Sequence, residues 1–161
     1  MRKETAILAG GCFWGMEELF SSLKGVISSK VGYCGGKKEN PSYLEVKTGE
    51  TGHAESLMLI FDADEISYGE ILDYFFSIHD PTTSDRQMGD IGSQYRSVIF
   101  YLNEEQKKAA LEAIERAQKN WKGKIVTQLV AFEKFWDAEE YHQKYLKKNP
   151  GGYTCHFKRK F

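Results

Sequence analysis

The sequence is short of cysteine, and that shortage excludes the most. Three thiols, Cys12, Cys34 and Cys155, are scattered through 161 residues, too odd and sparse a set for a disulfide-stapled secreted fold. No C-x-x-C or H-x-x-x-H pair occurs, so a zinc site drawn from Cys12, Cys34, Cys155, His53 and His156 has little support, and neither a metal nor a cofactor is expected. Charge of one sign is also lacking: 22 basic residues face 23 acidic ones, for a net charge of −1. That balance lacks the basic footprint of a nucleic-acid binder, and Lys158-Arg159-Lys160 reads as a solvated tail. Long hydrophobic runs are missing as well. The apolar stretch from Ala6 to Trp14 is broken by Gly10-Gly11, which suits neither a signal peptide nor a membrane span. Neither nucleic acid nor membrane is an expected partner, and a cytoplasmic, reducing location is expected.

What is present is enough for one compact domain, expected to be monomeric. Hydrophobic residues make up 41% of the chain and aromatics 14%, which supplies a sizeable core. There is no internal repeat and no low-complexity linker. The abrupt basic end leaves open that the chain is one domain of a longer polypeptide.

Thr5 to Leu8 reads as a short buried strand, ended by Gly10-Gly11. From Phe13 to Leu23, Met16, Leu19, Phe20 and Leu23 recur at helical spacing, and Gly25 stops the helix. Val26 to Tyr33 reads as a second strand, and residues 34–53, rich in glycine, as mainly loop. Glu55 to Phe61 is apolar on both phases and is expected to lie centrally in the sheet. Ser67-Tyr68-Gly69-Glu70 is a capping box ahead of a helix, followed by a polar loop from His79 to Gln94. Then come a strand over Ser97–Leu102, a helix capped by Asn103, a strand over Val126–Phe132 and a last helix over Asp137–Lys148. Alternating helices and strands imply a layered α+β domain with a mixed sheet. Residues 1–148 form the expected catalytic domain, and 149–161 a flexible tail behind Gly151-Gly152.

The sharpest chemical feature is Gly10-Gly11-Cys12-Phe13-Trp14-Gly15 at a strand-to-helix junction. A thiol at the first turn of a helix meets unpaired N–H groups and the positive end of the dipole, which favour a thiolate. A buried structural cysteine is the bland alternative. Phe13 and Trp14 point in different directions on a helix, so one at least projects toward the thiol as an aromatic wall, a surface that suits a sulfur-bearing methyl. In Gly52-His53-Ala54-Glu55, Glu55 shares the strand phase of Leu57, Leu59 and Phe61. A carboxyl on an apolar phase holds its proton and is a candidate general acid, against the alternative of a strand-end glutamate reaching solvent. Tyr43, and Tyr95 in the segment Gly89–Ser97, could hold a developing oxyanion with their phenols. Cys155, on the tail in Gly151-Gly152-Tyr153-Thr154-Cys155-His156, has no evident core role; a mobile thiol that reaches a second thiol is a resolving cysteine.

Taken together, these strings resemble the methionine sulfoxide reductase A family along nearly the whole chain. Besides Gly-Gly-Cys-Phe-Trp-Gly (10–15) and Gly-Tyr-Thr-Cys-His-Phe (152–157), the resemblance rests on Val-Gly-Tyr-Cys-Gly-Gly (31–36), Asn-Pro-Ser-Tyr (40–43), Thr-Gly-His-Ala-Glu (51–55), His-Asp-Pro-Thr-Thr (79–83), Asp-Arg-Gln (85–87), Gln-Tyr-Arg-Ser (94–97) and Ala-Glu-Glu-Tyr-His-Gln-Lys-Tyr-Leu (138–146). It implies a two-layer α+β sandwich with a ferredoxin-like core and reduction of the S epimer of methionine sulfoxide, free or in proteins. It implies that Cys12 attacks the sulfoxide sulfur and Glu55 protonates its oxygen, with Tyr43 and Tyr95 binding that oxygen. Phe13 and Trp14 would cradle the methyl group and Asp90 orient the substrate. Cys155 would then form a disulfide with the Cys12 sulfenic acid, for thioredoxin to reduce. Two positions depart from the family pattern. Cys34 stands where a small non-thiol residue is more usual, and Met88-Gly89 replace the usual glycine-asparagine ahead of Asp90.

A thiol redox sensor and a module that merely grips methionine sulfoxide remain as other classes. A sensor has no use for a proton donor and two phenols, and a binding module none for a thiolate.

Overall fold

The computed structural model describes all residues, 1–161. Its strands are β1 (Lys3–Gly10), β2 (Val26–Cys34), β3 (Ala54–Asp62), β4 (Arg86–Gln87), β5 (Asp90–Ile91), β6 (Ser97–Tyr101), β7 (Gln128–Ala131) and β8 (Phe135–Asp137). Its helices are α1 (Phe13–Ser21), α2 (Tyr43–Lys47), α3 (Tyr68–Ile78), α4 (Glu104–Gln118) and α5 (Tyr145–Lys148).

Six strands form one sheet in the order β7-β6-β1-β3-β2-β8. All neighbours are antiparallel except β6 and β7, so the sheet is mixed. The strand that is apolar on both phases, β3, lies in the interior of the sheet between β1 and β2. Strand alternation sorts the side chains. Ala6, Leu8, Val31, Tyr33, Leu57, Leu59 and Phe61 face the helices, where Phe13, Met16 and Phe20 of α1, Phe75 and Phe76 of α3 and Ala110 and Ala113 of α4 complete the core. Ile7, Ala9, Cys34, Ala54, Val98 and Phe100 form a smaller cluster on the opposite face, with Phe132 and Phe135 against it.

The capping box expected at Ser67 is formed: Ser67 Oγ accepts from Glu70 N at 3.0 Å while Glu70 Oε1 accepts from Ser67 N at 3.1 Å. Within the stretch expected to be mainly loop, Ser42 and Glu45 make a second capping box and start α2. Its S-x-x-E signature is the same; what was missing is a long apolar stripe, since only Val46 of this five-residue helix is buried.

The single long helix expected over Asp137–Lys148 is not there. Asp137 belongs to β8 on the edge of β2, Glu140–His142 form one 3-10 turn, and only Tyr145–Lys148 are α-helical. Tertiary partners replace the helical ladder in this stretch. Ala138 N donates to Val31 O at 3.0 Å, and the Gln143 amide accepts from Val31 N and donates to Val31 O, both at 2.9 Å. Lys144 N donates to the buried Glu17 carboxylate at 2.7 Å, which fixes Lys144 in the left-handed region at φ 53°. A buried carboxylate must be partnered, so Glu17 and the broken backbone stabilise each other.

The β4–β5 hairpin turns through Met88-Gly89, and its positive φ, 52°, falls on Met88 rather than on the glycine. A side chain there is crowded by its own backbone, at a cost of about 1–2 kcal/mol, whereas glycine costs only its extra chain entropy. Met88→Gly is therefore expected to stabilise the protein by about 0.5–1 kcal/mol, read as a higher urea midpoint at unchanged slope. An unchanged or lowered midpoint would show that this strain is relieved elsewhere.

Candidate active site

Strand β1 delivers Cys12 to the start of α1. Gly11 makes the turn at φ 96°, and a β-carbon there would stand 2.6 Å from Cγ of Gln87, which packs over it. Gln87 is itself held across Asp80, accepting from its N–H at 2.7 Å and donating to its carbonyl at 2.8 Å. Cys12 occupies the N-cap of α1 and is buried. Directly beneath, Glu55 Oε1 accepts from Phe13 N at 3.2 Å, so the first turn of α1 binds the carboxyl group.

Burial raises the Glu55 pKa to about 8, against which the Phe13 N–H works only partly. Glu55 therefore holds a proton at neutral pH, and solvent does not reach it as a strand-end residue would be reached. The Cys12 thiol moves the opposite way from the expectation of acidity. Burial pushes it well up, the Glu55 charge pushes further, and the Trp14 N–H lowers it only in part. Desolvation outweighs the helix terminus because the sulfur lies inside the protein rather than at an exposed helix end.

Two tyrosines complete the cluster. Tyr43 starts α2, its N–H donating to Glu139 at 2.8 Å. Tyr95 lies in a 3-10 turn tied to α2 by Gln94, which donates to Lys47 O at 3.1 Å, and to the start of β3 by Arg96, which donates to Gly52 O at 3.0 Å. Burial raises both phenols, Tyr43 to about 12, and both feel Glu55, Cys12 and Asp90. They remain neutral donors across the physiological range. Asp90, in β5, has its pKa raised by burial and accepts from the Tyr153 hydroxyl at 3.3 Å, with the Cys155 sulfur 3.8 Å away.

An aromatic group stands beside the thiol. Trp14 stacks on Tyr145 at 3.8 Å with planes 9° apart, and its Nε1–H donates to His142 Nδ1 at 3.0 Å. The His142 ring lies 5.1 Å from Phe13 and 4.4 Å from Tyr43. Glu139 and His142 escaped the sequence reading because their partners are far away in the chain; only their place in the string 138–146 marked them.

The tail lies across α1 in this structure. A β-carbon on Gly15 would collide with Thr154 and His156, so the glycine admits the tail. His156 is buried, and its Nε2–H donates to Gly10 O at 2.6 Å. Further on, Arg159 N donates to Ser77 O at 2.9 Å, and Phe161 meets Trp121 edge-on at 5.6 Å. All three cysteines are free thiols. Cys155 lies 3.8 Å from the Asp90 carboxylate, whereas Cys34 faces the other side of the sheet and donates to Lys134 O at 3.2 Å.

A buried thiol beside a carboxyl that keeps its proton, with two phenols and a second thiol at hand, is equipment for thiol-dependent reduction of a polar, oxygen-bearing substrate. A family model for peptide methionine sulfoxide reductase matches residues 4–161. The chain is 48% identical over 156 residues to a peptide methionine sulfoxide reductase MsrA of Mycobacterium sp. (strain MCS), covering 96% of this chain and 89% of the relative. It is 52% identical over 150 residues to one of Clostridium botulinum (strain Okra / Type B1), covering 93% and 95%. Among solved structures, Mxr1 from Saccharomyces cerevisiae in reduced form superimposes with a TM-score of 0.95 at 39% identity, covering 99% of this chain and 93% of that one. The same yeast protein gives 0.73 in an unusual oxidized form, at 37% identity over 99% and 90% of the two chains. In complex with Trx2 it gives 0.69, at 27% identity over 99% and 91%. The chain belongs to the peptide methionine sulfoxide reductase family. It is an oxidoreductase, and the sensor and binding-module readings fall away.

Proposed function

We propose that this chain reduces the S epimer of methionine sulfoxide, in proteins or free, using Cys12 as nucleophile and Glu55 as proton donor. The observation that carries the reading is Glu55 beneath the first turn of α1, holding a proton near neutral pH beside a thiol. The sulfoxide oxygen is bound by the Tyr43 and Tyr95 phenols, and its methyl group rests against Phe13 and Trp14. Asp90 orients the substrate. As the sulfur of Cys12 bonds to the substrate sulfur, Glu55 gives its proton to the sulfoxide oxygen and takes up the thiol proton in its place; the hydroxyl then moves to the Cys12 sulfur as the bond between the two sulfurs breaks. The net step turns thiol and sulfoxide into Cys12 sulfenic acid and methionine, with no proton drawn from outside.

Cys155 then attacks the sulfenic sulfur, water leaves, and a Cys12–Cys155 disulfide forms. Thioredoxin reduces it; the yeast relative solved with Trx2 supports that partner. The tail, residues 149–161, moves for this step. Its link to the body runs through Gly151-Gly152, and the better match to the yeast relative's reduced form than to its oxidized form fits a chain that rearranges as its thiols oxidise. The rest of the chain, 1–148, is the catalytic domain, working as a monomer in the cytoplasm. Its core is a ferredoxin-like two-layer sandwich. That reading is supported by β1-α1-β2-β3-α3-β6 in the spatial order β6-β1-β3-β2, with the helices on one face.

The two candidate resolving thiols are separated by mutation. Cys155→Ser is expected to release one equivalent of methionine and then stall with thioredoxin as reductant. Cys34→Ser is expected to keep turning over, because its thiol lies across the sheet. Steady thioredoxin-driven turnover in Cys155→Ser would transfer the resolving role away from the tail.

A further inference from the structure

Cys155 is followed at once by a histidine buried against the turn that carries Cys12. His156 Nε2–H donates to Gly10 O at 2.6 Å, and a β-carbon on Gly11 would stand 3.3 Å from the same nitrogen. The ring also occupies the space that a side chain on Gly15 would need. It is therefore seated on backbone both before and after the nucleophile, with a glycine on each side making room for it. A carbonyl oxygen can only accept, so the imidazole proton sits on Nε2 and Nδ1 is an acceptor. Nδ1 lies 3.8 Å from the Cys155 sulfur. Burial pulls the His156 pKa down to about 4, which the Gly10 carbonyl opposes only in part, so the ring is neutral across the physiological range.

The chain on either side of this ring is also fastened. Thr154 Oγ1 accepts from His156 N at 3.2 Å. Further on, Arg159 N donates to Ser77 O at 2.9 Å, and the Arg159 guanidinium lies 4.1 Å from the Phe157 ring and 5.2 Å from the Trp121 ring. Upstream, Gly151 bends the chain at φ 96°. Cys155 thus rides on a strap between that bend and the seat of His156, rather than on a loose end.

We propose that His156 is a positioning residue for the resolving step: its bond to Gly10 O keeps Cys155 over the Cys12 turn, and the strap pivots about the seated ring as the disulfide forms. This rests on the reading of Cys155 as the resolving cysteine. The reaction is the one already described: the Cys155 sulfur bonds to the Cys12 sulfur, and its proton leaves with the sulfenic hydroxyl as water. The seat supplies proximity. A sulfenic acid that waits for an unheld tail is open to further oxidation, whereas a thiol held a short pivot away captures it first.

Rapid-quench single turnovers on a sulfoxide peptide, with methionine, sulfenic acid and disulfide counted by mass, read the two steps apart. His156→Ala is expected to form one equivalent of methionine and then to accumulate Cys12 sulfenic acid, with disulfide formation slowed about tenfold or more. His156→Gln, whose amide N–H can reach Gly10 O, is expected to bring disulfide formation back to within about threefold of wild type. A histidine that only supported the fold would slow both steps alike. Docking is read separately from the rate at which Cys155 is alkylated in the reduced protein. That rate is expected to rise in His156→Ala and to return to the wild-type value in His156→Gln. Wild-type disulfide formation in His156→Ala would overturn the inference, and so would wild-type alkylation, since the seat would then hold nothing. A His156→Gln protein as slow as His156→Ala would also overturn it, by taking the effect away from the Gly10 bond. Steady thioredoxin-driven turnover in Cys155→Ser is the separate result that removes the resolving role itself, and this inference with it, whatever the alkylation shows.

Discussion

Replacing Cys12 with serine is expected to abolish methionine formation, single turnover included. Serine fits the same space at the N-cap of α1 and is a better cap than cysteine, so the fold is expected to persist. What is lost is the sulfur. An alkoxide is far harder to form than a thiolate, and oxygen has no route to a sulfenic acid. Losing the nucleophile while keeping the rest of the site is worth at least about 10⁴-fold. The check is a rapid-quench measurement of methionine, with unfolding curves to show that Cys12→Ser is folded. A Cys12→Ser protein that still forms methionine at a rate within tenfold of wild type would end the assignment.

Glu55→Gln is expected to slow methionine formation by about a hundred- to ten-thousandfold while leaving substrate binding largely intact. Glutamine can still accept the Phe13 N–H, so the turn that carries Cys12 stays in place. It cannot transfer a proton. The pH dependence gives the sharper test. Glu55 is an acid whose pKa is raised to about 8, so its protonated, donating form is full at neutral pH and drains away as pH rises through that value. Cys12 must lose a proton to attack, and the Glu55 charge opposes that loss. The two groups therefore titrate as a pair, and the wild-type rate should fall on the alkaline side as the shared proton is lost. Glu55→Gln should be slow and should lack that alkaline fall. A variant with wild-type rate, or with the same alkaline limb, would assign the proton to another group.

The parts of the fold that were legible in the sequence are those decided by short-range pattern. β3 is apolar on both phases because it lies inside the sheet, and Ser67–Glu70 marks the start of α3 because its capping bonds are local. The glycines before Cys12 marked the turn into α1 for the same reason. The segment after β8 misled because its regular spacing of large side chains serves contacts with β2 and α1 rather than a helix. His142 stayed invisible because its bond to Trp14 spans 128 residues. The thiol's pKa was misjudged for a related reason: helix termini can be read from sequence, whereas the burial that outweighs them is a property of the folded whole.

The most direct test of the account is a single turnover of Cys155→Ser with a methionine S-sulfoxide peptide, followed by intact-mass and peptide-mass analysis. The account predicts one equivalent of methionine per enzyme and one added oxygen, trapped by a sulfenic-acid reagent on Cys12 and on neither Cys34 nor any methionine. Methionine formed with Cys12 unmodified, or with the oxygen on Cys34, would contradict it.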